Sequence, residues 1–421
     1  MPVFPEPSAG DTGWFVHDRF GLFIHWGLYA AAASKEWVQH RESMSEERYR
    51  KYFDHFDPDL YDPKVWAKEA KNAGMKYFVI TTKHHDGFCL WDSALTDYKA
   101  PTTPAGRDLL MPAVEAFRAE GLKVGFYHSL LDWNHPDYPI DEFHALRGDM
   151  EARKQPRDMA KYREYLHAQT RELLTQFGKI DIMWFDFSYA TQDWGYAKGR
   201  GKEDWHSEEL MTMIRELQPG IIVNDRLEIG GDIKTPEQIM PRSWMMVEGK
   251  PVVWEACQTL NGAWGYDRDN LDWKSSRMLI GMLIDAVSKG GNLLLNVGPN
   301  ARGRLEPRAV DRLWGIGEWM DLHSRSIYGC TASDFQPPKF GTYTQNGKRL
   351  YLHLFEWPFG EIVLPDLAGK VDYMQLLNDA SEIGQWQTEK PTNEAEERSI
   401  SMGLPVQRPN VAVPVIEIFL K

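Results

Sequence analysis

Short apolar runs alternate with amphipathic segments through the first three quarters of the chain. In residues 63–74, Trp66, Ala70 and Ala73 recur at helical spacing and Gly74 can end the helix. The same periodicity predicts helices over 110–121, 158–178, 207–220, 275–291 and 306–325. Runs rich in β-branched and aromatic residues predict strands over 20–27, 76–87, 122–129, 179–187 and 221–226, with later candidates over 244–249, 251–259 and 292–298. This alternation indicates a parallel sheet with helices packed around it.

The number of strand and helix units favours an α/β fold closed into a (β/α)8-like TIM barrel over an open sheet. After "IYGC" (327–330) the pattern changes. Short strand-like runs over 348–357, 360–367, 371–378 and 411–421 are separated by Gly, Pro, Asn and Asp, with no long helix between them. That pattern is typical of a small antiparallel β-sandwich. We therefore predict a barrel domain over 1–329 and a C-terminal β-sandwich domain over 330–421.

Composition narrows the classes of protein to consider. The 421 residues carry a formal net charge of -13 without a basic stripe, which argues against nucleic acid or an anionic membrane as a partner. Three scattered cysteines, Cys89, Cys257 and Cys330, fit reduced thiols better than disulfides or a zinc cluster. The 17 Trp and 17 Tyr residues provide flat apolar faces that suit sugar rings, or else a core rich in aromatic residues.

The sequence also bears on where the protein works. The sequence contains no run of about 18 apolar residues, the length that a membrane-spanning helix needs. The stretch "MPVFPEPSAG" at residues 1–10 lacks the basic and apolar regions of a signal peptide. We therefore expect a cytoplasmic protein, unless a leader has been removed from this chain.

Polar side chains close five consecutive predicted strands. They are His25 and Trp26, then His84, His85 and Asp86, then Tyr127 and His128, then Asp186, and last Asn224, Asp225 and Arg226. Active sites of such barrels form at the carboxyl ends of the strands. One such residue alone is explained by a structural hydrogen bond, but burying all of them costs several kcal/mol unless they are paired or used. We therefore expect them to share one pocket.

Two reaction classes fit these residues. In the first, the histidines and Asp186 bind a metal ion that activates water. Against it, no spaced His-x-His motif is present, and the adjacent His84 and His85 are expected to point to opposite faces of a strand. In the second, two carboxylates flank a glycosidic bond while histidines, Trp and Arg hold sugar hydroxyls. This second class accounts for the aromatic residues around Asp186.

Eight segments together resemble the α-L-fucosidases, family 29 of the glycoside hydrolases. They are "RFGLFIHWGLYA", "KEW", "TTKHHDGFCLWDS", "GFYHSLLDW", "MWFDF", "NDR", "KTPEQ" and "GGNLLLNVGPNARG". The segments keep the family's order and cover roughly residues 14 to 330. The resemblance implies a retaining exo-hydrolase that releases L-fucose from fucosylated glycans through a covalent intermediate, without a metal ion or an organic cofactor.

The resemblance also assigns roles to individual residues. It makes Asp186 the nucleophile and implies sugar contacts for residues that match the family's pocket motifs. They are Phe23, His25, Glu36, Trp37, His84, His85, His128, Trp184 and Arg226. Relatives often carry Tyr where this chain has His128, a change that keeps a hydrogen-bonding ring at this position.

The general acid/base is the third role that the resemblance implies. Relatives place a Glu shortly after the "NDR" arginine, and "GDIKTPEQ" puts Glu237 at that position. Glu255, on a later strand, is the rival. Glu228 lies too close to Arg226 and is expected to pair with it. We therefore predict Glu237 as the acid/base.

Turnover, linkage specificity and oligomeric state are three further properties on which the sequence bears. A lectin-like module that keeps the pocket but lacks turnover is an alternative, although the nucleophile and the candidate acids are all present. The third- and fourth-strand motifs favour a fucosidase of broad linkage specificity over one restricted to branched α-1,3/1,4 linkages. A homo-oligomer is compatible with the sequence.

Overall fold

A computed structural model describes Pro5 and residues 8–421. Its longer helices are α1 (Glu46–Asp54), α2 (Pro63–Asn72), α3 (Leu110–Ala119), α4 (Met159–Gln176), α5 (Ser207–Leu217), α6 (Ser276–Ser288) and α7 (Pro307–His323). Short helical turns cover Gly13–Asp18, Tyr29–Ala32, Val38–Arg41, Met150–Lys154, Lys202–Trp205 and Glu394–Arg398. All six predicted helices are therefore confirmed, with ends that differ by a few residues. The stretch over 1–10, which lacks the regions of a signal peptide, includes residues 1–4 and 6–7, and these lie outside the described residues.

Seven parallel strands form the central sheet. They are β1 (Phe20–Ile24), β2 (Tyr77–Lys83), β3 (Lys123–Ser129), β4 (Ile182–Asp186), β5 (Ile222–Val223), β6 (Glu255–Thr259) and β7 (Asn292–Val297). Their order in the sheet is β5-β4-β3-β2-β1-β7-β6. All strands run in one direction, so their carboxyl ends meet at one edge. The predicted strand over 244–249 does not join them, because Met246–Val247 pairs with Lys250–Pro251 in a separate exposed hairpin.

An irregular segment lies between the two edge strands of this sheet. Residues 232–238 carry isolated parallel bridges, from Ile233 to Asn224 beyond β5 and from Glu237 to Cys257 on β6. The amide of Asp232 donates to the carbonyl of Val223, while several backbone bonds join the segment to β6 and the residues before it. The sheet thus has seven regular strands where the sequence predicted eight, and this extended segment lies where an eighth strand would.

The last quarter of the chain is built from antiparallel strands, as predicted. One sheet contains Gly341–Asn346, Arg349–Leu354, Val415–Leu420 and Val371–Leu376, and a second contains Glu361–Leu364, Ile400–Gly403 and Gln385–Trp386. Buried side chains from both sheets, such as Leu352, Ile418, Leu364 and Met402, form a single apolar core.

Two further predictions can be compared with the structure. Cys89, Cys257 and Cys330 are free and buried, which confirms the expectation of reduced thiols. Among the described residues, no helix is both long enough and apolar enough to cross a membrane.

Candidate active site

A pocket opens at the carboxyl edge of the parallel sheet. Its walls are Phe23, His25, Trp37, His84, His85, Tyr127, Trp184, Asp186, Phe187, Arg226, Glu237, Cys257 and Trp264. Larger clefts exist, including one of about 670 Å³ bounded by Met44 and Arg157, but none of those described gathers the residues that the sequence singled out. Because chemistry depends on convergent polar groups more than on volume, the small pocket is the candidate active site.

Asp186 is the carboxylate at the base of this pocket. It ends β4, and its side chain is only 14% exposed. The hydroxyl of Tyr127 donates to Asp186 Oδ2 over 2.7 Å, and His85 Nε2 lies 3.8 Å from the same oxygen. The next residue, Phe187, adopts φ 81°, a left-handed conformation that side chains other than glycine rarely take. This sharp turn ends the strand and lets the Phe187 ring line the pocket beside the carboxylate.

Arg226 connects Asp186 to a second carboxylate. It lies in a helical turn directly after β5. Its Nη1 is 3.3 Å from Asp186 Oδ1, and its Nη2 is 3.1 Å from Glu237 Oε2. Thr235 accepts two further hydrogen bonds from the guanidinium, through its hydroxyl and its carbonyl. The arginine is therefore fixed in orientation, and it holds both carboxylates at one pocket.

The two carboxylates differ in their access to solvent. The side chain of Glu237 is 40% exposed, whereas Asp186 is mostly enclosed. Burial raises the pKa of Asp186 to about 6, against the opposing effect of the Arg226 charge. Burial alone would lower the pKa of Arg226, but Asp186 and Glu237 raise it above its usual value. A buried carboxylate beside an exposed one is an arrangement that lets two acids take different roles.

Three histidines line the pocket in their neutral form. Burial lowers the pKa of His25 to about 3, and it lowers the pKa values of His84 and His85 well below their usual range. His25 Nδ1 lies 2.7 Å from Asn296 Oδ1, and the amide of Asn296 donates to a backbone carbonyl. The Asn296 oxygen is thus an acceptor, which places the proton on His25 Nδ1 and leaves Nε2 as a hydrogen-bond acceptor.

His84 and His85 both line the pocket, so the expectation that they point to opposite faces was wrong. β2 ends at Lys83, and its pairing with β3 is irregular between Thr81 and Lys83. Beyond a strand end the strict alternation of side chains no longer applies. The two rings lie side by side with centroids 4.1 Å apart.

Aromatic rings form most of the remaining wall. Trp184 stacks on Tyr127 with ring centroids 5.7 Å apart and 19° between the planes, and Arg226 lies over the indole at 5.1 Å. Phe23 is 4.5 Å from His25, and Trp37 is 4.9 Å from His85. These four predicted residues, Trp184, Arg226, Phe23 and Trp37, are therefore brought together with Asp186.

Two predicted sugar contacts do not line the pocket. His128 is fully buried, and its Nδ1 lies 3.0 Å from the hydroxyl of Thr82. Because neighbouring residues of a strand face opposite sides, Tyr127 points into the pocket and His128 points away from it. Glu36 is also buried, and it accepts a hydrogen bond from the Gly265 amide over 2.9 Å. It therefore contacts the loop that carries Trp264, not the pocket itself.

Glu255, the rival for the acid/base role, and Glu228 lie outside the pocket as well. Glu255 begins β6, at the opposite end of the strands from the pocket, and is fully buried. Burial raises its pKa to about 8. Glu228 accepts a hydrogen bond from the Lys202 amide over 3.2 Å. The predicted pairing of Glu228 with Arg226 was therefore wrong, because the arginine turns towards Asp186 and Glu237 instead.

Four lining residues were missing from the predicted site. Tyr127 was predicted only as a strand end, and the signal that could have placed it is its register with Trp184 on β4. Phe187 lay in the motif around Asp186 but was given no role. Trp264 and Cys257 come from a loop and a strand that carry no local signal of a site. Among the residues that the structure describes, no group of three or more His, Cys, Asp or Glu side chains is arranged to hold a metal ion.

Comparisons with known proteins agree on one family. The family model described as alpha-L-fucosidase matches residues 8–325. The solved structure of alpha-L-fucosidase isoenzyme 1 from Paenibacillus thiaminolyticus has a TM-score of 0.91 and 47% identity, over 98% of this chain and 99% of that chain. An alpha-L-fucosidase of Bacteroides thetaiotaomicron, crystallised as a trapped covalent intermediate, has a TM-score of 0.85 and 28% identity, over the whole of both chains. An alpha-L-fucosidase of Dictyostelium discoideum is 28% identical over 97% of this chain and 91% of its own length.

Proposed function

The chain belongs to the α-L-fucosidase family of glycoside hydrolases, and from that premise we propose that it is a retaining exo-α-L-fucosidase acting on fucosylated glycans. One observation carries the proposal. Arg226 holds the enclosed Asp186 and the more exposed Glu237 at the same pocket, at 3.3 and 3.1 Å. Two carboxyl groups with unequal environments are what hydrolysis of a glycosidic bond requires, and in double displacement the enclosed one is the nucleophile and the exposed one the acid.

In the first step, Asp186 attacks the anomeric carbon of the fucose residue. Glu237 donates a proton to the glycosidic oxygen, so the C–O bond breaks and the rest of the glycan leaves as an alcohol. The product is a fucosyl ester of Asp186. The exposure of Glu237 is consistent with this role, because the leaving group must depart towards solvent.

In the second step, Glu237 takes a proton from water, and the water oxygen attacks the anomeric carbon of the ester. Free fucose and the Asp186 carboxylate result, and Glu237 is again protonated. The Bacteroides thetaiotaomicron enzyme has been crystallised as a trapped covalent intermediate in complex with 2-fluoro-fucosyl fluoride. That intermediate supports the proposal that this chain also hydrolyses fucosides by double displacement.

The remaining pocket residues suit a deoxy sugar. Neutral His25, His84 and His85 can donate and accept hydrogen bonds with hydroxyl groups without bringing charge into the site. Phe23 and Trp184 offer apolar surface for a methyl group and a ring face. We also infer that the seven strands and the segment over 232–238 act as one barrel-like catalytic domain over 1–329, followed by a C-terminal sandwich domain over 330–421.

The stereochemistry of the product tests the mechanism. If Asp186 attacks directly, proton NMR of a fresh reaction with an aryl fucoside should first detect α-L-fucose. Initial β-fucose would mean inversion and would remove the nucleophilic role from Asp186. No turnover of any fucoside would instead favour the lectin-like alternative.

The acid/base assignment needs a matched pair of variants. Glu237→Ala should slow hydrolysis of natural oligosaccharides far more than that of aryl fucosides, whose leaving groups need little protonation. Azide needs no general base, so it should restore turnover of the aryl fucoside and yield α-fucosyl azide. Glu255→Ala is the control and should show neither effect. The opposite result in the two variants would move the acid/base role to Glu255.

A further inference from the structure

Ser129 is a buried residue whose hydroxyl contacts one of the pocket histidines. It is the last residue of β3, and it lies opposite Asp186 in the pairing with β4. Its Oγ lies 2.6 Å from Nδ1 of His85. The amide of Leu130 donates to the carbonyl of Asp186 over 3.0 Å, and the amide of Trp133 donates to the carbonyl of His85 over 2.8 Å. The chain after β3 is therefore bonded to both pocket residues, which fixes Ser129 relative to them.

The hydroxyl hydrogen of Ser129 has two acceptors within reach. Oγ lies 2.8 Å from the carbonyl oxygen of Leu131, while the amide of Leu131 donates to Oγ over 3.0 Å. A hydroxyl has a single hydrogen, so it donates either to this carbonyl or to His85 Nδ1. Among the residues that the structure describes, no other group donates to the buried Leu131 carbonyl. Donation to His85 would therefore leave that carbonyl unpaired, which costs free energy.

The second ring nitrogen of His85 supports the same choice. If Ser129 donated to Nδ1, the neutral ring would carry its hydrogen on Nε2. That nitrogen lies 3.8 Å from Asp186 Oδ2, which is beyond ordinary hydrogen-bond distance. With the hydrogen on Nδ1 instead, the Ser129 hydroxyl, both backbone groups of Leu131 and Nδ1 itself are all paired. This second arrangement satisfies more buried polar groups, so it is the more stable one.

We propose that Ser129 is a positioning residue that keeps the ring hydrogen of His85 on Nδ1, so that Nε2 is a hydrogen-bond acceptor in the pocket beside Asp186. Nε2 and Asp186 Oδ2 are then two acceptors 3.8 Å apart, and a sugar hydroxyl is a donor that suits them. The role towards a sugar rests on the proposed function, whereas the position of the hydrogen does not. Asn296 fixes His25 in the same tautomer, so two pocket rings offer acceptors.

15N NMR of the full-length protein tests where the hydrogen lies. In protein labelled with 15N-histidine, the ring resonances of His85 are assigned by their loss in His85→Gln. Protonated and unprotonated ring nitrogens differ widely in 15N shift, so the two tautomers are distinguishable. Near neutral pH we expect Nδ1 of His85 to be protonated and Nε2 to be unprotonated. A hydrogen on Nε2 in the wild-type protein would overturn the proposal.

Ser129→Ala removes the acceptor of the Nδ1 hydrogen. Without that acceptor, the Asp186 carboxylate 3.8 Å away should attract the hydrogen to Nε2. We therefore expect the NMR spectrum of the variant to show Nε2 protonated. We also expect kcat/KM for an aryl fucoside to fall about 10-fold, because the sugar hydroxyl loses its acceptor. A variant that keeps Nδ1 protonated, or one whose tautomer changes without loss of activity, would contradict the proposed role of Ser129.

Thr344→Val is the matched control. Thr344 lies buried on the strand Gly341–Asn346, where its hydroxyl donates to the carbonyl of Ser326 over 2.7 Å and lies 2.9 Å from Nε2 of the buried His353. Val keeps the shape of the side chain and removes the hydroxyl. The control should lower Tm, as Ser129→Ala does, while kcat/KM stays within about twofold of the wild type. Equal losses of activity in the two variants would attribute the loss to general destabilisation and overturn the proposal.

The measurements separate this inference from the proposed function. If Ser129→Ala does not fold, the wild-type NMR spectrum still decides where the ring hydrogen lies. If the wild-type protein hydrolyses no fucoside, the proposed function fails and the role of Ser129 towards a sugar fails with it. An active wild type with the hydrogen on Nε2 of His85 overturns this inference alone.

Discussion

Replacing Tyr127 with Phe isolates a single hydrogen bond to Asp186, the proposed nucleophile. The change removes the O–H that donates to Asp186 Oδ2 over 2.7 Å and keeps the ring that stacks on Trp184. Hydrogen bonds to charged groups contribute about 1.5–3 kcal/mol, and about 1.4 kcal/mol corresponds to one pKa unit. Because the donor stabilises the carboxylate, its loss should raise the Asp186 pKa from about 6 by roughly one to two units.

The effect on rate should therefore depend on pH. Only the carboxylate attacks, so kcat/KM should fall as the pH drops through the Asp186 pKa. At pH 6 half of the wild-type carboxyl groups are ionised, whereas about 9% to 1% of the variant's would be, a loss of roughly 5- to 50-fold. At pH 8 the variant should retain at least about half of the wild-type value, because most or half of its carboxyl groups are ionised there.

The assay is kcat/KM for an aryl fucoside measured from pH 4.5 to 9. Tyr49→Phe is the matched control, since its hydroxyl donates over the same 2.7 Å to Asp86, whose side chain does not line the pocket. That variant should lower Tm without moving the acid limb of the profile. If the acid limb of Tyr127→Phe stays within about 0.3 units of the wild type, Tyr127 does not stabilise the charge and the reasoning fails.

Three further predictions follow from the same groups. Asp186→Asn keeps the volume but removes the nucleophile, so hydrolysis should drop by several orders of magnitude with little change in Tm; more than about a tenth of the activity remaining would contradict the assignment. Glu255 holds its proton up to pH of about 8 when folded but only to about 4.5 when unfolded, so its burial costs stability increasingly across that range. Thermal melts should therefore show the free energy of unfolding of Glu255→Gln rising relative to that of the wild type by a few kcal/mol between pH 4.5 and 8, and no further above pH 8. A difference in stability that does not change with pH would be inconsistent with a protonated carboxyl group. Activity should survive exhaustive chelation with EDTA, whereas its loss and recovery on adding a divalent ion would favour the metal-hydrolase alternative.

The convergence of distant residues could be predicted because each lies near the same end of a parallel strand. His25, His84 and Asp186 follow or end β1, β2 and β4, and the geometry of a parallel sheet brings such positions together. Glu237 was placed by resemblance alone, and the structure puts it at the same pocket.

The wrong predictions concern residues whose local sequence pattern does not show which way the side chain points. β3 is buried on both faces, so its sequence has no polar alternation to indicate which residues face the pocket, and His128 was chosen instead of Tyr127. Pairing with β4 resolves the choice, because Tyr127 lies opposite Trp184 and His128 lies opposite Phe185. The positions of Glu36 and Trp264 depend on a contact between segments more than 200 residues apart, in which the Gly265 amide donates to Glu36. A single sequence does not reveal such a contact.

The two carboxylates of the pocket are attached to the molecule with unequal stiffness. Asp186 ends a strand that is paired on both sides, whereas Glu237 lies on the segment over 232–238, which is bonded mainly to β6. A displacement of Asp186 would break hydrogen bonds of the sheet, but a small displacement of the Glu237 carboxyl group, whose side chain is 40% exposed, would strain mainly its contact with Arg226. In the proposed mechanism, the nucleophile is therefore the rigidly held group and the acid is the group that can shift. The same glutamate can therefore follow two oxygens in succession, first that of the departing alcohol and then that of the incoming water, while the sugar stays attached to an immobile partner.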